Sequence, residues 1–232
     1  MRIESEIKGL MPRDKLSDKI WQEGKKMKSE IREKLLVIAE EFTDYLGVAL
    51  DVLDVTMTGS YANYNYTKYS DIDLHIIVSY DDLSDVEDLA SEFFNAKKSF
   101  WNDRHDIKIK GIEVELYAQD EKEPHSSTGV YSVRFDKWIV EPKKFKTEVD
   151  TDSIKRKYKK LEKEVDIVLK DGDYSDISTM LKKIKKMRQS GLDSFGELSD
   201  ENLVYKILRN SGDLQKLFDK RENLFDINLS IK

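Results

Sequence analysis

The sequence predicts an α+β fold: a mixed β-sheet flanked by helices, followed by an α-helical second half. Three observations predict it. Apolar residues recur at helical spacing over residues 15–46 and 81–100. Short runs between and after them alternate apolar and polar residues, the period of a strand. From residue 152 onward only helical spacing remains.

The first helix is expected over 15–46, where Ile20, Met27, Ile31, Leu35, Ile38, Phe42 and Tyr45 form one face that stops near Gly47. A strand follows in LDVLDVTMT, with Leu53, Val55 and Met57 alternating against Asp54 and Thr56. It ends at Gly59-Ser60, after which a helical turn can start. A second strand is expected in DIDLHIIVS. A helix is expected over 81–100 through Leu83, Val86, Leu89, Phe93 and Phe94, with Asp81 or Asp82 as its N-cap. IKIK at 107–110 and IEVELYA at 112–118 read as a bent strand or a tight hairpin around Gly111. VYSVRF and KWIV, at 130–140, read as another hairpin that turns near Asp136-Lys137 and ends by Pro142. Four helical stripes then follow: Ile154 to Val168, stopped at Gly172; Ile177 to Met187, stopped at Gly191; Leu203 to Leu208; and Leu214 to Phe218 after Gly212. The expected halves are 1–142 and 143–232, joined through a seam at 141–151 and packed together.

Composition narrows the function classes. Of 232 residues, 39% are hydrophobic and 37% charged, which allows a real core under a charge-rich surface. Three prolines and ten glycines argue against long linkers. With no cysteine there is no disulfide framework, no thiolate metal site and no cysteine nucleophile, as suits a reducing cytosol. MRIESEIKGLMPRDKL lacks the apolar segment of a leader, and LLVIA is far too short to span a bilayer. The expectation is a cytoplasmic protein with no membrane partner. The net charge of −6 is uneven: residues 143–188 carry fifteen Lys and Arg against nine Asp and Glu, a balance of +6 that leaves −12 elsewhere. That stretch reads first as solvated helix surface, and second as a face for nucleotides or RNA.

On a strand, side chains alternate faces, so Asp71, Asp73 and His75 share one side while Ile72, Leu74, Ile76 and Val78 share the other. The two aspartates then stand about 6–7 Å apart along the strand. Carboxylates that close repel when ionised. A divalent cation between them removes the conflict, and Mg²⁺ prefers hard oxygen ligands. Glu113 and Glu115 share a face of IEVELYA opposite Ile112, Val114 and Leu116. If that strand lies beside the aspartate strand, one of these glutamates completes a two-metal site of the kind that stabilises an in-line displacement at phosphorus. Gly59 lets backbone approach a ligand closely, the amides after it can hold phosphate oxygens, and Ser60 adds a hydroxyl.

Gly59-Ser60, ten intervening residues, then Asp71-Ile72-Asp73 with apolar flanks resembles the signature of the DNA-polymerase-β-like nucleotidyltransferase superfamily, with spacing similar to that of its minimal members. The resemblance covers roughly residues 50–120. It implies a nucleotidyltransferase-type mixed sheet over 1–142 and a helical C-terminal domain over 143–232. It implies two Mg²⁺ ions, with Mn²⁺ as an alternative, held by Asp71, Asp73 and Glu115 as the catalytic acids. Glu115 is preferred because it sits in the VEL context of the family's third acid, and Glu113 in IEV remains its rival. Gly59 and Ser60 would bind the β,γ-phosphates of an NTP, ATP by default. Tyr61 would lie against the nucleotide, and Lys206 would reach the triphosphate from the helical half. The implied reaction moves a nucleoside monophosphate onto a hydroxyl and releases pyrophosphate.

The residues carry quieter readings as well. Asp71 and Asp73 can blunt a strand edge, and Glu113 and Glu115 can be a solvated strand face. Tyr61, Asn63, Tyr64, Asn65 and Tyr66 can stack on a base or simply close their loop. Lys206 and Arg209 can be exposed helix cations. His75 reads as a polar neighbour of the acids, since Mg²⁺ favours oxygen, and His105, His125 and HSSTG at 125–129 carry no assignment. The acceptor hydroxyl, on protein, RNA, nucleotide or small molecule, is open, as is the oligomeric state. The competing class is a non-catalytic nucleotide-binding or antitoxin-like regulatory module on the same fold.

Overall fold

The computed structural model describes residues 2–83, 87–125, 127–144 and 149–231. Val86 of the expected helical stripe, Ser126 of the HSSTG loop and residues 145–148 of the expected seam lie outside the described residues, and so does part of the basic 143–188 stretch. The chain divides into two compact units. One is Pro12–Phe145; the other combines Met1–Met11 with Lys146–Lys232.

The first unit holds a six-stranded mixed sheet, as the sequence predicts. Its strands are β1 (Asp54–Thr58), β2 (Ile72–Val78), β3 (Lys108–Ile109), β4 (Ile112–Asp120), β5 (Val130–Ser132) and β6 (Lys137–Val140), in the spatial order β3-β4-β2-β1-β5-β6. β1 pairs antiparallel with β2, but β2 and β4 run parallel, from Ile72↔Val114 to Val78↔Asp120. A parallel pair needs a crossover between its strands. Helix α3 (Glu87–Arg104) lies on that crossover. Both expected hairpins are present. β3 and β4 meet at Ile109↔Ile112 around Lys110 and Gly111, both with positive φ, and β5 and β6 turn at Asp136.

One sheet face carries the core. Val55, Met57, Ile72, Leu74, Ile76, Val114 and Leu116 pack with Ile31, Leu35, Ile38 and Phe42 of α2 (Ser29–Leu46) and with Ala90, Phe94 and Trp101 of α3. Leu74 has no exposed surface, so truncating it to Ala would cost about 2–5 kcal/mol. The outer rim of β4 is closed by side chains. The Asn102 amide on α3 accepts from the Leu116 N–H at 3.1 Å and donates to the Leu116 carbonyl at 3.2 Å. The Tyr80 hydroxyl donates to the Ala118 carbonyl at 3.1 Å, and the Val114 N–H reaches the Ile107 carbonyl at 2.9 Å.

Helix α2 is shorter than the 15–46 expected. Before Ser29 the chain makes a Trp21↔Met27 bridge around a short 3-10 turn, Glu23–Lys25, with Gly24 at φ 74° and Lys25 at φ 58°. Those dihedrals cannot continue an α-helix. Ile20 and Met27 are still fully buried, so their spacing reported burial rather than helix. The expected helix at 81–100 is also displaced: Tyr80–Asp82 form a 3-10 turn, and α3 extends to Arg104.

The second unit is helical: α1 (Arg2–Leu10), α4 (Thr151–Asp171), α5 (Tyr174–Phe195), α6 (Asp200–Ser211) and α7 (Asp213–Leu229). Helix α1 was not anticipated, although Ile3, Ile7 and Leu10 have helical spacing. It packs on α4 and α6, burying Ile7 and Leu10, and Glu4 pairs with Lys155 at 2.8 Å. The N-termini of α4, α5 and α6 are capped by side chains. Asp150 accepts from the Asp152 and Ser153 amides, Asp173 and Asp176 form a capping box, and Ser199 accepts from the Asn202 amide. Gly191 does not stop α5, which continues to Phe195. A Cβ there would lie 2.6 Å from Glu201 Cβ and 2.7 Å from Ser199 Oγ, so the glycine permits the N-terminus of α6 to pack closely.

Candidate active site

The polar face of the sheet collects the expected acids. Because β2 and β4 are parallel and in register, Asp73 lies directly beside Glu115, and His75 beside Tyr117. On the other side, Thr58 of β1 pairs with Asp73 and Thr56 with His75. A row Glu115–Asp73–Thr58 thus crosses three strands, with Tyr117–His75–Thr56 as the next row. Asp71 sits just before β2, half-buried like Asp73 and Glu115. Glu113 is exposed and pairs with Lys108 of β3.

At the end of β1 the chain turns at Gly59, whose φ is 71°. The Asp73 carboxylate packs so tightly on this glycine that a Cβ would lie 1.8 Å from its Oδ2. A single turn follows, closed by the Asn63 amide on the Ser60 carbonyl at 3.1 Å. It does not extend into the helical start considered from the sequence. Ser60 is half-buried, and its hydroxyl makes no hydrogen bond within the described residues.

Tyr117 ties the polar rows together. Its hydroxyl donates to Glu115 Oε2. Its ring stacks on His75, with centroids 4.8 Å apart and 14° between planes. Lys98 of α3 places Nζ 3.7 Å from the Tyr117 ring centroid. Burial raises the Tyr117 phenol well above its ordinary pKa; the Glu115 hydrogen bond and the charges of Glu115, Asp73 and Asp71 push the same way. Burial lowers Lys98, while Glu115 and Asp73 oppose the shift. Burial also pushes His75 down to about 4, so the ring beside Asp73 is neutral near pH 7, and Nε2 meets Thr58 Oγ1 at 3.1 Å.

A family profile described as the nucleotidyltransferase domain matches residues 25–192. The chain belongs to this family. As a nucleotidyltransferase it carries the fold, the Gly59-Ser60 turn and the Asp71-Ile72-Asp73 strand on which the superfamily resemblance rests. Among solved structures it is similar to one titled "Structure of STING-associated CdnE c-di-GMP synthase from Capnocytophaga granulosa", at 14% identity over 87% of this chain and 84% of that one, with a TM-score of 0.22. No curated protein matches it.

This nucleotidyltransferase offers hard oxygen donors for a divalent cation, and their chemistry suits Mg²⁺ or Mn²⁺. Among the described residues, however, no three His, Cys, Asp or Glu side chains are gathered as a metal cage. The Asp73 carboxylate packs on Gly59, and Glu115 Oε2 accepts from the Tyr117 hydroxyl.

The other residues expected to meet the ligand have partners within the protein. Tyr61 is buried, with its hydroxyl 3.4 Å from the Thr67 carbonyl and its ring stacked on Tyr66. Asn63, Tyr64 and Asn65 are buried too, and the loop packs into the core, where Trp21 Nε1 donates to the Tyr61 carbonyl at 2.8 Å and the Asn63 side-chain amide donates to Thr128 Oγ1. Lys206 belongs to the helical unit, where it pairs with Glu197 at 2.8 Å. Tyr117 and Lys98 were missed. Tyr117 could have been found, since it follows Glu115 by two residues on the polar face. Lys98 carries no such signal, because only the folded crossover brings α3 to the rim of β4.

Proposed function

We propose that this nucleotidyltransferase transfers a nucleoside monophosphate, AMP by default, from an NTP to a hydroxyl acceptor and releases pyrophosphate. The reading is carried by one observation: Asp73 and Glu115 are register partners on adjacent parallel strands, beside the Gly59 turn. Asp71, Asp73 and Glu115 would hold two divalent cations, Mg²⁺ or Mn²⁺. Bound there, such ions supply charge neutralisation at the phosphates and a more acidic acceptor hydroxyl.

The chain's own groups do the rest. Gly59 lets the Asp73 carboxylate lie against backbone that a side chain would cover. The Ser60 hydroxyl donates to a β- or γ-phosphate oxygen and so favours the departing pyrophosphate. His75, neutral near pH 7, adds no positive charge beside Asp73 to repel a cation. The buried apolar face behind β2 fixes the backbone from which both aspartates project.

A second reading, a non-catalytic nucleotide-binding or antitoxin-like regulatory module, draws on the absence of a three-acid cage among the described residues. One experiment separates the two. The protein is incubated with each α-labelled NTP and Mg²⁺ or Mn²⁺, alone and with cell extract, and labelled products and pyrophosphate are measured. Transfer that disappears in the Asp71→Ala/Asp73→Ala double variant supports the enzyme. Transfer that survives in the double variant overturns the mechanism. NTP binding without transfer supports the module.

A further inference from the structure

The geometry points to Tyr117 as a positioning residue for Glu115: its hydroxyl sets the direction of that carboxylate beside Asp73, and with it the affinity of the acid pair for a divalent cation. This rests on the reading of the acids as a cation site. Tyr117 lies two residues beyond Glu115 on β4, so both project from one sheet face. Its O–H occupies Glu115 Oε2 and leaves Oε1 for another partner.

The phenol is itself held. Its ring stacks on His75, its register partner on β2, and carries the Lys98 ammonium 3.7 Å from its centroid. The hydroxyl direction is therefore set by two strands and α3 rather than by solvent. Immobilising a free glutamate side chain costs rotamer entropy. A glutamate already fixed by a hydrogen bond has met much of that cost before an ion arrives. Hydrogen-bond partners of metal-ligating carboxylates commonly change metal affinity by about 10–100-fold.

Tyr117→Phe tests this, because it keeps the ring, its His75 stack and its Lys98 contact and removes only the hydroxyl. Mn²⁺ is titrated alone into the full-length wild type, Tyr117→Phe, Glu115→Gln and the double variant, with free Mn²⁺ read by electron paramagnetic resonance. The expected result is weakening by about tenfold or more in Tyr117→Phe, and no added effect of that change once Glu115 is glutamine. Wild-type affinity in Tyr117→Phe overturns the positioning role while leaving the acid site standing. Equal weakening with and without Glu115 also overturns it, since the tyrosine would then act on the fold. A wild type that binds no Mn²⁺ removes the cation site itself, and the positioning role with it.

Discussion

The Asp73 carboxylate rests against the bare Cα of Gly59, so close that a methyl group on Gly59 would overlap Oδ2. Gly59→Ala is therefore expected to fail twice. The left-handed backbone costs a non-glycine residue about 1–2 kcal/mol, a fall of a few degrees in Tm for a chain this long. The displaced Asp73 carboxylate would also lower Mg²⁺-dependent label transfer by more than that stability loss explains. Calorimetry and transfer assays on the same preparation check both. Unchanged transfer would show that Asp73 does not need its present direction.

Glu115→Gln and Glu113→Gln should separate cleanly. Glu115 is half-buried beside Asp73, whereas Glu113 is exposed opposite Lys108 of β3. Loss of a metal-ligating carboxylate should lower transfer at least about 100-fold, more than loss of a residue that only supports a ligand. Glu113→Gln should stay within a factor of two or so of wild type, as exposed substitutions usually perturb little. The opposite ranking of the two variants would exchange their roles.

Two glycines of the helical unit should respond to alanine with opposite signs. Gly9 in α1 has no neighbouring atom within 4 Å of an added Cβ, so Gly9→Ala should stabilise by about 0.5–1 kcal/mol through helix propensity. At Gly191 the added methyl meets Glu201 and the capping Ser199. Overpacking of about 1–3 kcal/mol should outweigh the propensity gain there. Urea denaturation followed by circular dichroism reads both. Stabilisation by Gly191→Ala would mean that α6 shifts freely.

The helical unit should weaken in acid through Glu197. Burial alone would raise this carboxyl, but Lys206, Arg188 and Asn202 overcome burial and hold it below the usual range. A lowered folded pKa means that the unfolded chain binds the proton first as pH falls. The contribution is therefore complete above the ordinary carboxylate pKa and is lost as pH drops through the folded value. Thermal unfolding between pH 6 and pH 3 should show a steeper loss in wild type than in Glu197→Gln. Equal slopes would remove Glu197 from the acid response.

The acids and the sheet were legible because each depends on local pattern. Asp71-Ile72-Asp73 sorts its side chains by strand alternation alone, and VEL does the same for Glu115. The irregular start of α2 was hidden because Ile20 and Met27 are core residues whose spacing imitates a helix. The role of Gly191 was misread because its reason is a neighbour from another helix, which no short window contains. Tyr117 stood in plain view but gains meaning only once Glu115 and His75 are seen beside it. Lys98 required the crossover to be folded first.

The closure of the β4 rim has a consequence for self-association. A sheet edge recruits foreign strands through open N–H and C=O groups. Along β4, Asn102 has taken both groups of Leu116, and Tyr80 and Ile107 answer Ala118 and Val114. Aggregation by strand recruitment is thereby turned away from β4, and the sheet edges left to it are the short strands β3 and β6.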